Sequence, residues 1–163
     1  MSQSEKPTTL LMVDDDASLV RLLSKLIERS CGESIRLEAL TDPVAALMRI
    51  EEGGVDILLS DLEMPGIDGL ELLRSAKQRN AFTQVLFITG QSTQERLIDA
   101  LELGATDYLL KPIDHEQLVE LIHQSQSRQQ RWKHALASTW QQRKIWAEAD
   151  RKKNLARFCA RPV

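Results

Sequence analysis

Apolar residues fall into two alternating rhythms along the first three quarters of the chain. TLLMV (residues 9–13) is a short continuous apolar run. After it Leu19, Leu22, Leu23, Leu26 and Ile27 recur at helical spacing as far as Cys31-Gly32, so the pattern predicts a strand and then a helix. IRLEAL (35–40) alternates as a strand does, and DPVAALMRIEEGG opens with Asp-Pro and closes with Gly-Gly, the punctuation of a helix. VDILLS (55–60) predicts a third strand and GLELLRSAKQ a third helix. QVLFIT (84–89) is a strand, STQERLIDALELG a helix ending at Gly104, DYLL (107–110) a strand, and IDHEQLVELIH the opening of the last helix. Five strand-helix units result.

Strands this short and apolar, spaced by helices, predict a parallel sheet covered on both faces, because parallel strands need crossovers and the crossovers supply the cover. In such α/β sheets ligands sit beyond the carboxyl ends of the strands. Those ends carry Asp14, Asp15 and Asp16 after the first strand, Asp61 after the third, Thr89 after the fourth and Lys111 after the fifth. Carboxylates crowded at a sheet end repel one another unless a cation neutralises them, and burial sharpens the penalty. Magnesium suits such a site, because it takes oxygen ligands, keeps several waters and leaves room for a phosphate. Lys111 adds a point charge for a phosphoryl oxygen and Thr89 a hydroxyl. The set points to a phosphoryl group stabilised by metal and lysine, with Asp61 as the nucleophile.

Composition bounds this reading. The chain has 163 residues, 42% of them apolar, enough for one domain and an appendage. No apolar stretch approaches the roughly 18 residues of a membrane helix, and MSQSEKPTT lacks the layout of a signal peptide, so the expected location is cytoplasmic. Cys31 and Cys159 lie far apart without histidines at metal-ligand spacing and read as reduced thiols. The net charge of -3 hides an asymmetry: residues 1–123 hold 11 Lys+Arg against 22 Asp+Glu (net -11), and residues 124–163 hold 10 against 2 (net +8).

Four segments, LMVDDDASLVRLL, SDLEMPGIDGLELL, FITG and GATDYLLKPI, occur in an order and spacing that resemble the receiver domain of two-component response regulators of the chemotaxis-regulator type, over roughly residues 8 to 124. The resemblance implies a flavodoxin-like doubly wound sheet of strand order 2-1-3-4-5. It makes Asp61 the phosphoacceptor and Asp14 and Asp15 the acidic pair for Mg2+, Asp15 as direct ligand and Asp14 through water. The backbone carbonyl of Glu63 completes the protein ligands. Thr89 becomes the switch hydroxyl, Tyr108 the aromatic switch and Lys111 the lysine of the motif. It also implies a cis Lys111-Pro112 bond, for which proline carries little penalty. Gly90 would leave access to the phosphate, and Glu63 and Gln91 would border the attacking water and tune the phosphoryl lifetime.

On that reading a phosphohistidine of a sensor kinase or phosphotransfer protein donates to Asp61. The added charge of about -1.5 to -2 draws Thr89 inward with Tyr108 following. Output would be read on the last two helices and the strand between them, where Arg96, Asp99, Glu102, Asp107 and Asp114 offer pairs across a dimer. The domain catalyses its own phosphorylation and dephosphorylation and is otherwise no enzyme.

Other residues read more plainly. Asp16 starts the first helix as its cap, with Ser18 a rival. Asp68-Gly69 reads as a turn and Pro65-Gly66 as a bend. His115, His123 and His134 have no partners for catalysis.

From Asp114 to Arg161 there is no proline or glycine, which predicts a helix reaching about Phe158. At 100° per residue Trp132, Leu136, Trp140 and Trp146 share a stripe about 120° wide with Leu118, Leu121 and Ile122. HQSQSRQQR (123–131) is wholly polar and interrupts that stripe where a hinge or solvated helix would fit. The seam Trp132, Leu136, Thr139, Arg143, Trp146 is a poor coiled coil. The sequence therefore divides into a receiver, residues 1–124, and a basic Trp-containing tail or linker, 125–163. The tail is expected to associate with itself or a partner, or to fold back on the acidic receiver. The basic run DRKKNLARF sits in no recognisable DNA-binding fold.

Three classes of function compete: a phosphorylation-controlled switch, free-standing or the front of a longer regulator whose output domain is missing; a magnesium-dependent aspartate-nucleophile phosphohydrolase; and a scaffold without phosphate chemistry. The second usually shows Asp-x-Asp at the first strand end, whereas here Asp-Leu-Glu follows the third. The full set Asp14, Asp15, Asp61, Thr89 and Lys111 argues against the third.

Overall fold

The computed structural model describes residues 6–90 and 92–159, with residues 150–159 by their backbone alone. Strands β1 (Thr8–Val13), β2 (Ile35–Leu40), β3 (Ile57–Asp61), β4 (Gln84–Thr89) and β5 (Asp107–Leu110) alternate with helices α1 (Ala17–Cys31), α2 (Pro43–Glu52), α3 (Gly69–Arg79), α4 (Gln94–Glu102) and α5 (His115–Cys159). All strand pairs are parallel and the sheet runs β2-β1-β3-β4-β5, the expected order.

The continuous apolar strands are explained by two cores. Successive strand residues point to opposite faces. Leu11, Val13, Leu58 and Phe87 therefore pack with Ala46 and Ile50 of α2 and Leu72 and Leu73 of α3. Leu10, Met12, Leu59 and Ile88 pack with Leu23 and Ile27 of α1 and Leu118 and Ile122 of α5. Each such side chain fully buried is worth roughly 1.5–3 kcal/mol, so none of these strand residues can turn polar without loss.

Helix starts are set by aspartates. Asp16 caps α1, its carboxylate accepting from the amides of Ser18 and Leu19, so Asp16 rather than Ser18 is the cap. Asp42 caps α2 ahead of Pro43. Asp68 is more than a turn residue: with Glu71 it forms a reciprocal capping box at α3. Beside it Gly69 is obligatory for space, since a Cβ there would lie 2.4 Å from the carbonyl oxygen of Asp61 and 2.8 Å from the Phe87 ring. Pro65-Gly66 does bend the chain, with Gly66 at a φ of 83°.

The chain divides into two compact units, one ending at Gln129 and the other beginning at Gln130. In the first, the buried stripe of α5 continues from Leu118 and Ile122 into Ser125 and Gln129, which are buried although polar. Two glutamine amides tie this stretch to the amino end of the sheet, while Gln129 Oε1 stays buried without a partner. Gln126 Nε2 donates to Thr8 Oγ1 at 3.1 Å and to the Ser34 carbonyl at 3.2 Å. Gln129 Nε2 donates to Asp56 Oδ1 at 2.5 Å, while Asp56 Oδ2 accepts from the Thr9 amide at 2.8 Å. The polar run predicted as hinge or solvated helix is thus seated on the receiver through residue 129. In the second unit the helix carries Trp132, Leu136, Trp140 and Trp146 in exposed positions. The side chains of Phe158 and Cys159 lie outside the described residues. Cys31 is a free, buried thiol, pushed up by burial.

Candidate functional site

Strand register assembles the site. Val13 pairs with Ser60, so Asp14, the next residue, comes level with Asp61 at the end of β3. Thr89 pairs with Leu110, and the Lys111 amide donates to the Thr89 carbonyl at 2.9 Å, which carries Lys111 onto the same edge. The Lys111-Pro112 bond is cis, as the resemblance implies.

Lys111 Nζ donates to Asp14 Oδ2 and to Asp61 Oδ2, both at 3.0 Å. Asp14 and Asp61 are almost wholly buried, 4% and 7% exposed, so this ammonium is their main countercharge among the described residues. Burial alone would lower the Lys111 ammonium, but the two accepting carboxylates outweigh it and hold the group above its ordinary value. The second oxygen of each carboxylate is held by backbone: Asp14 Oδ1 accepts from the Asp16 amide at 2.8 Å and Asp61 Oδ1 from the Glu63 amide at 3.1 Å.

Asp15 is exposed beside them, and oxygens of Asp14, Asp15 and Asp61 lie within 4.8 Å of one another. Three hard carboxylates at this spacing fit a hard divalent cation. The carboxylate of Asp16 does not join them, being taken up by the α1 cap.

Thr89 is buried, and its hydroxyl is hydrogen-bonded to Ser92 Oγ rather than to Asp61 or Lys111. Tyr108 is half exposed. It borders an apolar groove of about 320 Å³ between α4 and β5 that Phe87, Leu97, Ile98 and Leu101 also line. A Cβ at Gly90 would rest 3.6 Å from the Lys111 side chain, an ordinary contact. Gln91 lies outside the described residues.

Sequence reasoning missed three participants. Ser92 engages the Thr89 hydroxyl, and Gly69 leaves room behind Asp61. Arg96, expected on a free face of α4, donates through Nη2 to Asp68 Oδ2 at 2.7 Å and reaches the Leu62 carbonyl at 3.5 Å. Asp107 and Asp114 of the same expected face are engaged locally as well, accepting from the amides of Tyr108 and Gln117. The SxxE-like run Ser92-Thr93-Gln94-Glu95 marks a helix start, but only the fold shows that Thr93 caps α4 and so leaves Ser92 for Thr89.

The model of the response regulator receiver domain family matches residues 10–123. The DNA-binding transcriptional regulator NtrC of Escherichia coli is 34% identical over 119 residues, covering 73% of this chain and 25% of NtrC. The transcriptional regulatory protein TrcR of Mycobacterium tuberculosis is 32% identical over 113 residues, 69% of this chain and 43% of TrcR. The chain thus spans less than half the length of these relatives. A CheY-like receiver domain protein from Methanospirillum hungatei is 26% identical with a TM-score of 0.70, covering 77% of this chain and 98% of that one. The fold, the acidic edge and these matches agree, and the chain belongs to the response regulator receiver family, the phosphorylation-dependent switches of two-component signalling.

Proposed function

We propose that Asp61 accepts a phosphoryl group from the phosphohistidine of a sensor kinase or phosphotransfer protein. The observation that carries this reading is the Lys111 ammonium 3.0 Å from both Asp14 and Asp61 on one buried edge. An Asp61 carboxylate oxygen attacks phosphorus, the phosphorus–nitrogen bond breaks with its electron pair leaving on the imidazole, and an acyl phosphate forms. Lys111 already touches the attacking carboxylate, so it is placed to follow charge from that oxygen to the phosphoryl oxygens. Asp14, Asp15 and Asp61, with the backbone carbonyl of Glu63, would hold Mg2+, which when bound neutralises phosphoryl charge.

The new charge competes with Ser92 for the Thr89 hydroxyl. Thr89 then moves toward Asp61, and Tyr108, exposed on the edge of the α4–β5 groove, follows inward. Residues 1–124 serve as receiver and 125–163 as basic tail, with 125–129 seated on the receiver. Association through the last receiver helices or the Trp-bearing tail is part of the reading, as is a cytoplasmic location; among the described residues no helix is long and apolar enough to cross a membrane. The chain's span of 25% to 43% of its relatives supports a second reading, in which it is the front of a longer regulator.

The test is intact mass after incubation with Mg2+ and a small acyl-phosphate donor. A single phosphoryl adduct on the natural chain and none on Asp61→Asn is expected. An adduct on both would move the acceptor elsewhere.

A further inference from the structure

Arg96 is the one α4 side chain that reaches the loop behind Asp61 by hydrogen bonds among the described residues, and it does so at several points. Besides Asp68 and the Leu62 carbonyl, its Nε faces Glu63 Oε1 at 3.7 Å. That Nε is buried without a hydrogen-bond partner. A buried guanidinium N–H left unpaired is costly, and Glu63 is the carboxylate within reach, so the pair is drawn together rather than apart. Glu63 is also the residue whose amide donates to Asp61 Oδ1, so its side chain leaves the backbone beside the acceptor. In the structure that carboxylate faces Arg96.

We infer that Arg96 is a positioning residue that lengthens the life of the acyl phosphate by holding the Glu63 carboxylate away from it. The inference rests on Asp61 being the acceptor. In the loss reaction water oxygen attacks phosphorus, the bond from phosphorus to the Asp61 oxygen breaks with its electron pair returning to that carboxylate, and inorganic phosphate leaves. The proton released by the water needs an acceptor. Glu63 freed from Arg96 supplies one, and with Arg96 in place it is turned toward α4.

The experiment follows decay of the phosphoryl adduct by intact mass in the full chain, for Arg96→Gln, Glu63→Gln, the double variant and Gln129→Ala. Arg96→Gln is expected to shorten the half-life by about fivefold, below the ~100-fold a fully positioned general base supplies. In the Glu63→Gln background the same substitution is expected to change nothing, a coupling that mere loosening of α4 would not produce. Gln129→Ala destabilises from the opposite end of the sheet, at Asp56, and leaves Arg96 and Glu63 in place, so it lowers melting temperature while keeping the natural half-life. An unchanged or longer half-life in Arg96→Gln overturns the inference, as does equal shortening with Glu63→Gln. Absence of any adduct on the natural chain would instead count against Asp61 as acceptor, and the two failures are told apart by that first mass.

Discussion

At the scale of single residues, strand register builds the acidic edge. Asp14, Asp61, Thr89 and Lys111 sit where the apolar runs stop, and parallel register alone brings them to one edge. Gly69 and Arg96 were illegible because their roles depend on which loop passes behind Asp61, something no local pattern encodes. Gly69→Ala places a methyl 2.4 Å from backbone, and an expected cost of about 3 kcal/mol in urea unfolding follows from overpacking that cannot relax. Lys111→Met leaves Asp14 and Asp61 without their shared ammonium. It is expected to lower the melting temperature, and Mg2+ is expected to raise that of the variant more than that of the natural chain, since a cation binding the folded site stabilises it by linkage. Equal Mg2+ effects would show that the carboxylates do not share a cation site.

Two ion pairs contribute to the acid limb of stability. Glu38 is held below its ordinary value by hydrogen bonding to Arg49, and Asp68, despite burial pushing it up, is held below its own by Arg96. A carboxylate with a lowered folded value stabilises fully above its unfolded value, about 4, and that contribution is lost as pH falls through the folded value. Glu38→Gln is therefore expected to flatten the fall in unfolding midpoint below pH ~4 and to leave its shape near neutrality unchanged.

At the scale of elements, alternation and helical spacing sufficed for the five strands and five helices, because the apolar strand positions pack against helices on both faces of the sheet. The seat of α5 was the exception. Ser125 and Gln129 read as solvated because they are polar, yet they occupy the buried stripe, and the side-chain amides of Gln126 and Gln129 donate to Thr8, the Ser34 carbonyl and Asp56. The signal available was Asp56, a charge beside an apolar strand that needs a donor. Gln129→Ala is expected to cost roughly 1–2 kcal/mol, as a buried hydrogen bond to a charged group is lost. Amides of residues 123–129 are expected to exchange with solvent more slowly than those of 130–149, where most side chains are exposed. Equal exchange on both sides of Gln129 would remove the seam.

For the whole molecule, residues 1–123 carry a net of -11 and residues 124–163 a net of +8. A chain ending at Gln129 keeps both cores and the seam, and is expected to melt within a few degrees of the full chain, whereas one ending at residue 124 loses the seam and melts lower. Light scattering at low and high salt, with and without acyl-phosphate donor, reports on the Trp-bearing tail. Concentration-dependent mass that disappears on truncation at Gln129 is expected; a monomer under every condition would leave the tail without self-association.

The central claim is that Asp61 itself becomes the acyl phosphate. Borohydride reduction of the phosphorylated chain followed by tryptic mapping tests it directly. Reduction confined to Asp61 within the peptide of residues 50–74 is the predicted result. Reduction at Asp14 or Asp15, or at no carboxylate of this edge, would contradict it.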